Sequence, residues 1–500
     1  MTVTRWLAEY AWLPDRAEPT PDVLIETADG RITGVTRLTG DGGLTTGVEV
    51  YADAVRLPGL TLPGLADTHS HAFHRALRGR THGGRGDFWT WRDQMYAVAA
   101  RLDPERYLAL ARAVYAELAL AGITCVGEFH YLHHGPDGTP YADPNAMGAA
   151  LVEAAAQAGI RITLLDTCYL TADVDGAPLA GVQRRFGDGD ADRWAARLST
   201  HPLASRTTAP PDAAGPAGAA AGDGLGPAGA AAGDGPGPAG SAAGDGPGPA
   251  GSAGHARLGA AVHSVRAVPA AQLGTVATWA RERGSPLHVH LSEQPAENDA
   301  CRSVHGLTPT GLLARHGVLG PTVTAVHATH LTSGDLTLLG ESGTGVCLCP
   351  TTERDLADGI GPASRMVDAG ITLSLGSDSH AVVDPFEEAR AMELDERLRT
   401  RRRGHFPAAA LLRAASVAGH AALGWTDAGQ IAVGRRADLV TVSLDSVRTA
   451  GVPPVGVFFA AGAADVTHVL VDGRPVVADG RHLHVDVPRE LSAAIAEVTG

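Results

Sequence analysis

The chain has 500 residues, 44% hydrophobic and 19% charged, which is enough for a large core and more than one domain. Its formal net charge of −15 disfavours nucleic acids and anionic membrane surfaces as partners. All 40 basic residues are arginine, which excludes lysine chemistry such as a Schiff base or a carbamylated lysine bridging two metal ions.

Both ends of the chain carry the pattern of short β-strands. Residues 22–26 and 31–35 flank an Asp-Gly turn at 29–30, as in a β-hairpin. Near the other end, residues 437–442 and 466–471 read similarly, and a second Asp-Gly turn follows. We therefore expect residues 1–60 and 426–500 to pair into one small β-sandwich domain.

Residues 61–425 alternate short apolar runs with helical stretches such as 104–121, 144–158 and 269–283. Eight such units predict an α/β fold, a (β/α)8 TIM barrel with its catalytic groups at the carboxyl ends of the strands. The alternative is an open doubly wound sheet; because no Gly-x-Gly-x-x-Gly follows the first strand, its dinucleotide-binding version is disfavoured. The predicted strands end near His71, Tyr131, Tyr169, His263, Glu293, His330, Pro350 and Ser379.

Residues 207–254 fit neither pattern. They are almost entirely Ala, Gly, Pro, Asp and Ser, and a Gly-Asp-Gly unit recurs with a period of 11 residues. Leu225 is the only large apolar side chain, so burial cannot offset the loss of chain entropy. We predict a disordered Ala/Gly/Pro repeat insert in a surface loop.

The five cysteines are few and odd in number, which indicates buried thiols in a reducing compartment. Residues 1–14 lack the basic start and unbroken apolar run of a signal peptide, and no run of about 20 apolar residues could span a membrane. We therefore expect a cytoplasmic protein.

Histidines and carboxylates follow the apolar runs at four places. Residues 67–71 read Asp-Thr-His-Ser-His, and on a strand His69 and His71 point to the same face. Further along come His290, which precedes Glu293 by three residues, then His327, then Asp378. Each residue alone could be a core histidine or a helix cap, but four in order at strand ends favour one site. Three imidazoles and a carboxylate suit one Zn²⁺ ion with a bound water, and Fe²⁺ could substitute.

The order His-x-His, His-x-x-Glu, His and Ser-Asp, between split β segments, resembles the amidohydrolase superfamily. Within it, longer strings resemble the formimidoylglutamate deiminases of histidine degradation. These strings occupy residues 69–73, 88–96, 127–134, 183–186, 263–268, 326–330 and 349–353.

This resemblance implies hydrolysis of N-formimidoyl-L-glutamate to N-formyl-L-glutamate and ammonia by metal-activated water. It implies one zinc ion per subunit, held by His69, His71, His290 and Asp378. Asp378 and His327 would orient and deprotonate the water, and Glu293 would relay a proton to the departing nitrogen.

The resemblance also implies residues that bind the substrate, which carries two carboxylates and needs arginines in so acidic a protein. Arg266 lies three residues after His263 at the fourth strand end, and Tyr131 and His263 match substrate-contacting positions. Arg92 would reach into the neighbouring subunit's site, which implies a homodimer. His74 stands where this family is expected to have a glutamine, and it can still donate one hydrogen bond.

Two alternatives remain open. A deaminase of a ring substrate, guanine-like or triazine-like, would use the same metal site, but the 5% aromatic content and two arginines at strand ends favour a linear dicarboxylate. A non-catalytic assembly protein on the same fold is the weaker alternative, because such proteins usually lose metal ligands.

Overall fold

The computed structural model describes residues 2–14, 16–38, 53–81, 88–204 and 254–500. The predicted repeat insert, residues 207–254, therefore lies outside the described residues except for Gly254. Within these ranges the strands are β1 (Thr4–Ala11), β2 (Thr20–Ala28), β3 (Arg31–Arg37), β4 (Val55–Pro63), β5 (Leu65–Ser70), β6 (Ile123–His130), β7 (Arg161–Cys168), β8 (Ala256–Val262), β9 (Leu287–Leu291), β10 (Val323–His327), β11 (Gly345–Leu348), β12 (Leu373–Leu375), β13 (Leu439–Val442), β14 (Val466–Val471), β15 (Arg474–Ala478) and β16 (Arg481–His482).

Helices separate the central strands. The α-helices are α1 (Phe88–Ala99), α2 (Pro104–Leu120), α3 (Ala146–Ala158), α4 (Ala191–Ser199), α5 (Ala270–Glu282), α6 (Pro295–His305), α7 (Pro309–Arg315), α8 (Ser333–Ser342), α9 (Pro350–Asp355), α10 (Ala363–Asp368), α11 (Pro385–Thr400), α12 (Ala408–Arg413), α13 (Gly419–Ala422) and α14 (Val487–Thr499). Among the described segments, none of the helices has the length and apolar character needed to cross a membrane.

Local chemistry explains where several helices begin and end. The side chain of Asp103 accepts a hydrogen bond from the Arg106 amide at the start of α2, and proline occupies the first turn. Gly159, with a φ of 76°, ends α3 in the left-handed conformation that favours glycine. These are ordinary start and stop patterns, which is why the helices could be predicted from sequence.

Strands β5 to β12 form the predicted parallel barrel. They are hydrogen-bonded in chain order from β5 to β12. The two ends of this row meet at a parallel bridge between Ser70 and Asp378, where the Asp378 amide donates to the His69 carbonyl at 2.9 Å. Strands β6 and β7 are buried along their whole length, as expected when helices cover a parallel sheet. The (β/α)8 prediction is confirmed.

The remaining strands form a small β domain from both chain ends, also as predicted. Their order is β16-β15-β14-β13-β4-β1-β2-β3, so β4 joins the two ends through β1 and β13. The sheet curls back on itself, because the Ile32 amide donates to the Arg435 carbonyl at 2.9 Å. It encloses a core that includes Trp6, Ile25 and Leu439. The limits predicted for the two domains stay predictions.

One buried arginine ties the barrel to the small domain. Arg161, at the start of β7, is fully buried and pairs with Asp438 and with Asp472, the latter at 3.1 Å. Because an unpaired buried charge is costly, these carboxylates fix β7 against the loops around β13 and β14. These contacts lie at the end of the barrel where the strands begin, while the predicted site residues lie at the end formed by the carboxyl termini of the strands.

Candidate active site

Four side chains from three parts of the barrel converge on one point. His69 lies in β5 next to its last residue, His71 follows that strand, His290 comes from β9 and Asp378 follows β12. One ligand atom from each lies within 4.8 Å of the others. The Nε2 atoms of His69 and His290 are 3.0 Å apart, and Nε2 of His69 and of His71 each lie 3.4 Å from Oδ1 of Asp378.

This donor set fits a divalent cation such as Zn²⁺. Nδ1 of His71 contacts the Phe129 carbonyl at 2.9 Å, and Nδ1 of His290 contacts the His263 carbonyl at 3.0 Å. A carbonyl only accepts, so each Nδ1 donates and each Nε2 directs a lone pair at the centre. Burial lowers the pKa of His71 to about 3 and the pKa of His69 and of His290 well below the usual value. Neutral imidazoles with a carboxylate are what zinc binds.

Two of the site residues have a strained backbone conformation. Asp378 and His327 have φ values of 45° and 66°, in the left-handed region that costs a non-glycine residue about 1–3 kcal/mol. Gly376 lets the loop after β12 approach β5 closely, because a Cβ there would lie 2.8 Å from the His69 carbonyl oxygen. The fold therefore presses the Asp378 loop against the strand that carries His69.

His327 lies beside Asp378 and is held by a second carboxylate. Its Nε2 is 3.6 Å from Oδ2 of Asp378, and its Nδ1 is 3.4 Å from Oε1 of Glu353, which also accepts from the Cys349 amide. Burial alone would lower the pKa of His327, but Glu353, Glu293 and Asp378 together raise it well above its usual value. Sequence reasoning gave Glu353 no role, although it lay within a string of the resemblance.

Arg266 is held between two glutamates. Its Nη2 donates to Oε2 of Glu293 at 3.1 Å, and its Nε lies 3.6 Å from Oε2 of Glu297. The Glu297 side chain is 0% exposed, and its other oxygen accepts from the Ser292 amide at 3.0 Å. Glu297 was not predicted from sequence, because nothing in its neighbourhood in the chain marks it as a partner of Arg266.

The corner around His327 is rich in carboxyl groups. Asp358 lies near Glu293 and Glu353, and burial, followed by the charge of Glu293, raises the pKa of Asp358 to about 8. Gln294 donates to this carboxyl group. Of these carboxylates, Glu293 contacts Arg266 directly.

The remaining predicted residues line the cavity above this centre. His74, in a 3-10 turn at Ala72–Leu77, has its Nε2 2.9 Å from the Tyr131 hydroxyl. His263 packs against Tyr169 with ring centroids 4.3 Å apart. Arg92 of α1 lies at the same cavity. All the predicted site residues line this cavity except His69, which lies buried beneath it.

The cavity is more aromatic than the composition suggested. The side chains of Trp91, Tyr96, Tyr131, Tyr169 and Phe186 contribute to its walls. The low overall aromatic content was therefore a wrong argument against a ring substrate, because these side chains cluster at one place.

Comparison with known proteins identifies the fold family. The model of the amidohydrolase family matches residues 60–205 and 252–476. The chain belongs to the amidohydrolase family. The resemblance predicted from its motifs is thereby confirmed at the level of the superfamily, and the barrel with its small β domain is the architecture shared with its relatives.

Named relatives narrow the comparison. The chain is 36% identical over 443 residues to formimidoylglutamate deiminase of Pseudomonas aeruginosa, and the matched part covers 86% of this chain and 87% of the relative. It is 29% identical over 452 residues to 8-oxoguanine deaminase of the same organism, covering 88% of each. Among solved structures, an amidohydrolase from Brucella melitensis superposes with a TM-score of 0.81 at 29% identity, covering 99% of this chain and 100% of that one. The predicted resemblance to formimidoylglutamate deiminases is confirmed.

Proposed function

We propose that this amidohydrolase hydrolyses N-formimidoyl-L-glutamate to N-formyl-L-glutamate and ammonia, in the cytoplasm and as part of histidine degradation. The observation that carries the proposal is Arg266, whose guanidinium lies at the cavity wall beside Glu293. A guanidinium pairs with a carboxylate through two parallel hydrogen bonds, so this position suits an acidic, linear substrate. The similarity to formimidoylglutamate deiminase supports the same assignment.

We assign His69, His71, His290 and Asp378 to one zinc ion per subunit, for which Fe²⁺ could substitute. When bound, such an ion lowers the pKa of a water molecule towards neutrality. Asp378 and His327 would orient the attacking water and accept its proton. Glu293 delivers a proton to the terminal nitrogen, so the C–N bond breaks and ammonia leaves.

The charges at the cavity match this substrate. N-formimidoyl-L-glutamate carries two carboxylates and a cationic amidinium group. Arg266 and an Arg92 side chain would bind the carboxylates, while Glu293 and Asp378, which also line the cavity, would face the amidinium. Tyr131, His263 and His74 supply further polar contacts.

A second candidate is a deaminase of a ring substrate on the same metal site. The aromatic walls of the cavity favour it, because rings stack on such side chains. The 8-oxoguanine deaminase relative gives it further support. A ring substrate without carboxylates would have no group for Arg266 to bind. The need for Arg266 in turnover therefore distinguishes the two candidates. The non-catalytic alternative loses its support, because the residues of the metal site and the proton shuttle converge.

The deciding experiment measures ammonia release by the purified protein. We expect turnover of N-formimidoyl-L-glutamate, with kcat/KM at least about 100-fold above that for guanine, 8-oxoguanine or a triazine, since each lacks the carboxylates that Arg266 would bind. Formamidine serves as the matched control, because it has the reacting group without the carboxylates. Faster turnover of a ring than of N-formimidoyl-L-glutamate would favour the second candidate.

We also propose a homodimer in which Arg92 serves the neighbouring site. If so, a subunit with Arg92→Ala and a subunit with Arg266→Ala form mixed dimers that contain one intact site, because the intact Arg92 reaches the intact Arg266. We expect co-refolding or co-expression of the two variants to restore about a quarter of the wild-type activity. No restoration in a verified mixed dimer would mean that Arg92 acts within its own subunit, whose cavity it also lines.

A further inference from the structure

A second group of metal-binding side chains adjoins the first. His327, Cys349 and Asp378 each offer a ligand atom, and these atoms lie within 4.8 Å of one another in buried surroundings. Asp378 belongs to both groups. Its Oδ1 faces His69 and His71, and its Oδ2 faces His327. A carboxylate that presents its two oxygens to two donor groups can bridge two cations about 3.5–4 Å apart.

His327 is prepared to bind a cation as well as a proton. Glu353 accepts from Nδ1, and Nε2 faces Asp378 and the cavity, where a cation can bind once it has displaced the proton on that nitrogen. A carboxylate behind a histidine fixes the tautomer and raises the basicity of the other nitrogen, an arrangement common at metal-binding histidines. The same contact therefore serves either role of this side chain.

The local charge also favours a second cation. Asp378, Glu293, Glu353 and Asp358 gather here, and Glu293 pairs with Arg266. Asp378 and Glu353, which contact His327, offset part of the charge of a second cation. A thiol from Cys349 completes the group with a ligand that prefers soft and borderline metals.

We propose that His327, Cys349 and Asp378 form a second divalent-cation site. This site binds Cd²⁺, or Zn²⁺ when zinc is in excess, and Asp378 bridges it to the first metal site. Binding forms bonds from the metal to Cys349 Sγ and to His327 Nε2 and releases the protons of both atoms to solvent, so no oxidation or reduction is involved. The ion occupies Nε2 of His327 and therefore blocks proton transfer there. This inhibitory consequence rests on the proposed function, whereas the binding itself does not.

The test adds Cd²⁺ to protein already loaded with one equivalent of Zn²⁺. Ultraviolet difference spectra detect the sulfur-to-cadmium charge-transfer band, and equilibrium dialysis with elemental analysis counts both metals. We expect the band to saturate at one Cd²⁺ per subunit while the zinc is retained. We expect Cys349→Ser to remove the band. Cys347→Ser changes a buried thiol in β11, two residues before Cys349, and should keep the band.

A second variant guards against a folding defect in Cys349→Ser. His327→Asn retains the thiol, and we expect it to weaken Cd²⁺ binding at least about tenfold. Persistence of the band in Cys349→Ser, binding without a band in the wild type, or one-for-one displacement of zinc would each overturn the proposal. A band that grows without loss of activity would support the site and overturn the role of His327 in proton transfer.

Discussion

Replacing Arg266 by alanine is expected to lower kcat/KM for N-formimidoyl-L-glutamate by a factor of about 100 or more. Hydrogen bonds to charged groups contribute about 1.5–3 kcal/mol each, and a bidentate pair loses two of them. Every 1.4 kcal/mol is a factor of ten. The loss should be largely in KM, because the guanidinium contacts a part of the substrate that does not react. Steady-state ammonia release measures both constants.

The matched control for this prediction is the substrate rather than the enzyme. Formamidine has no carboxylate, so Arg266→Ala should change its turnover by a much smaller factor. Arg266→Lys keeps the charge but loses the planar fork, and we expect it to recover only part of the affinity. Because the alanine variant leaves the buried Glu297 without its cation, thermal unfolding of each variant must be followed. An equal loss on both substrates would show a general defect and contradict the assignment of Arg266 to the carboxylate.

The barrel was predictable because its strands follow simple chemical rules. Each predicted strand end lies one to four residues from the observed one, the farthest being Ser379 against an observed end at Leu375. Apolar runs mark the buried parallel strands, and polar side chains directly after them mark the end where the site forms. For the same reason, His69, His290 and Asp378 could be predicted to share one site from their positions alone.

Residues that act through tertiary contacts could not be predicted in this way. Glu297 and Glu353 both lie in helices that follow a strand, in places where surface glutamates are also common. Only the folded chain shows that one meets Arg266 and the other His327. The left-handed backbone at His327 is likewise imposed by the surrounding loops and not by its own preference.

The overall aromatic content led to a wrong expectation about the cavity, because the position of the aromatic residues decides its lining. A chain with 5% aromatic residues still places five of those side chains around one cavity. The overall fraction is an average over the whole chain, whereas a cavity samples the few residues at the strand ends. Substrate arguments therefore depend on which side chains meet, and here aromatic walls and Arg266 meet at the same cavity.

Replacing Glu293 by glutamine is expected to lower kcat by a factor of about 100 to 10,000, the usual contribution of a positioned general acid–base group. The amide has nearly the same size but cannot relay a proton to the departing nitrogen. Glu293 also pairs with Arg266 and would therefore compete with the substrate carboxylate. Removing its charge should therefore leave KM unchanged or lower it.

Glu297→Gln provides the matched control, because it changes the other carboxylate on Arg266. Glu297 lies 3.6 Å from Nε of Arg266 and holds the guanidinium in place without reaching the reacting atoms. Its loss should raise KM and leave kcat largely intact, the reverse of Glu293→Gln. The two glutamates that contact Arg266 would thus have different roles: Glu293 carries the proton, and Glu297 positions the arginine. If Glu293→Gln retained the wild-type kcat, the proton would have to reach the nitrogen by another route, for which Asp378 and His327 at the same cavity would be the candidates.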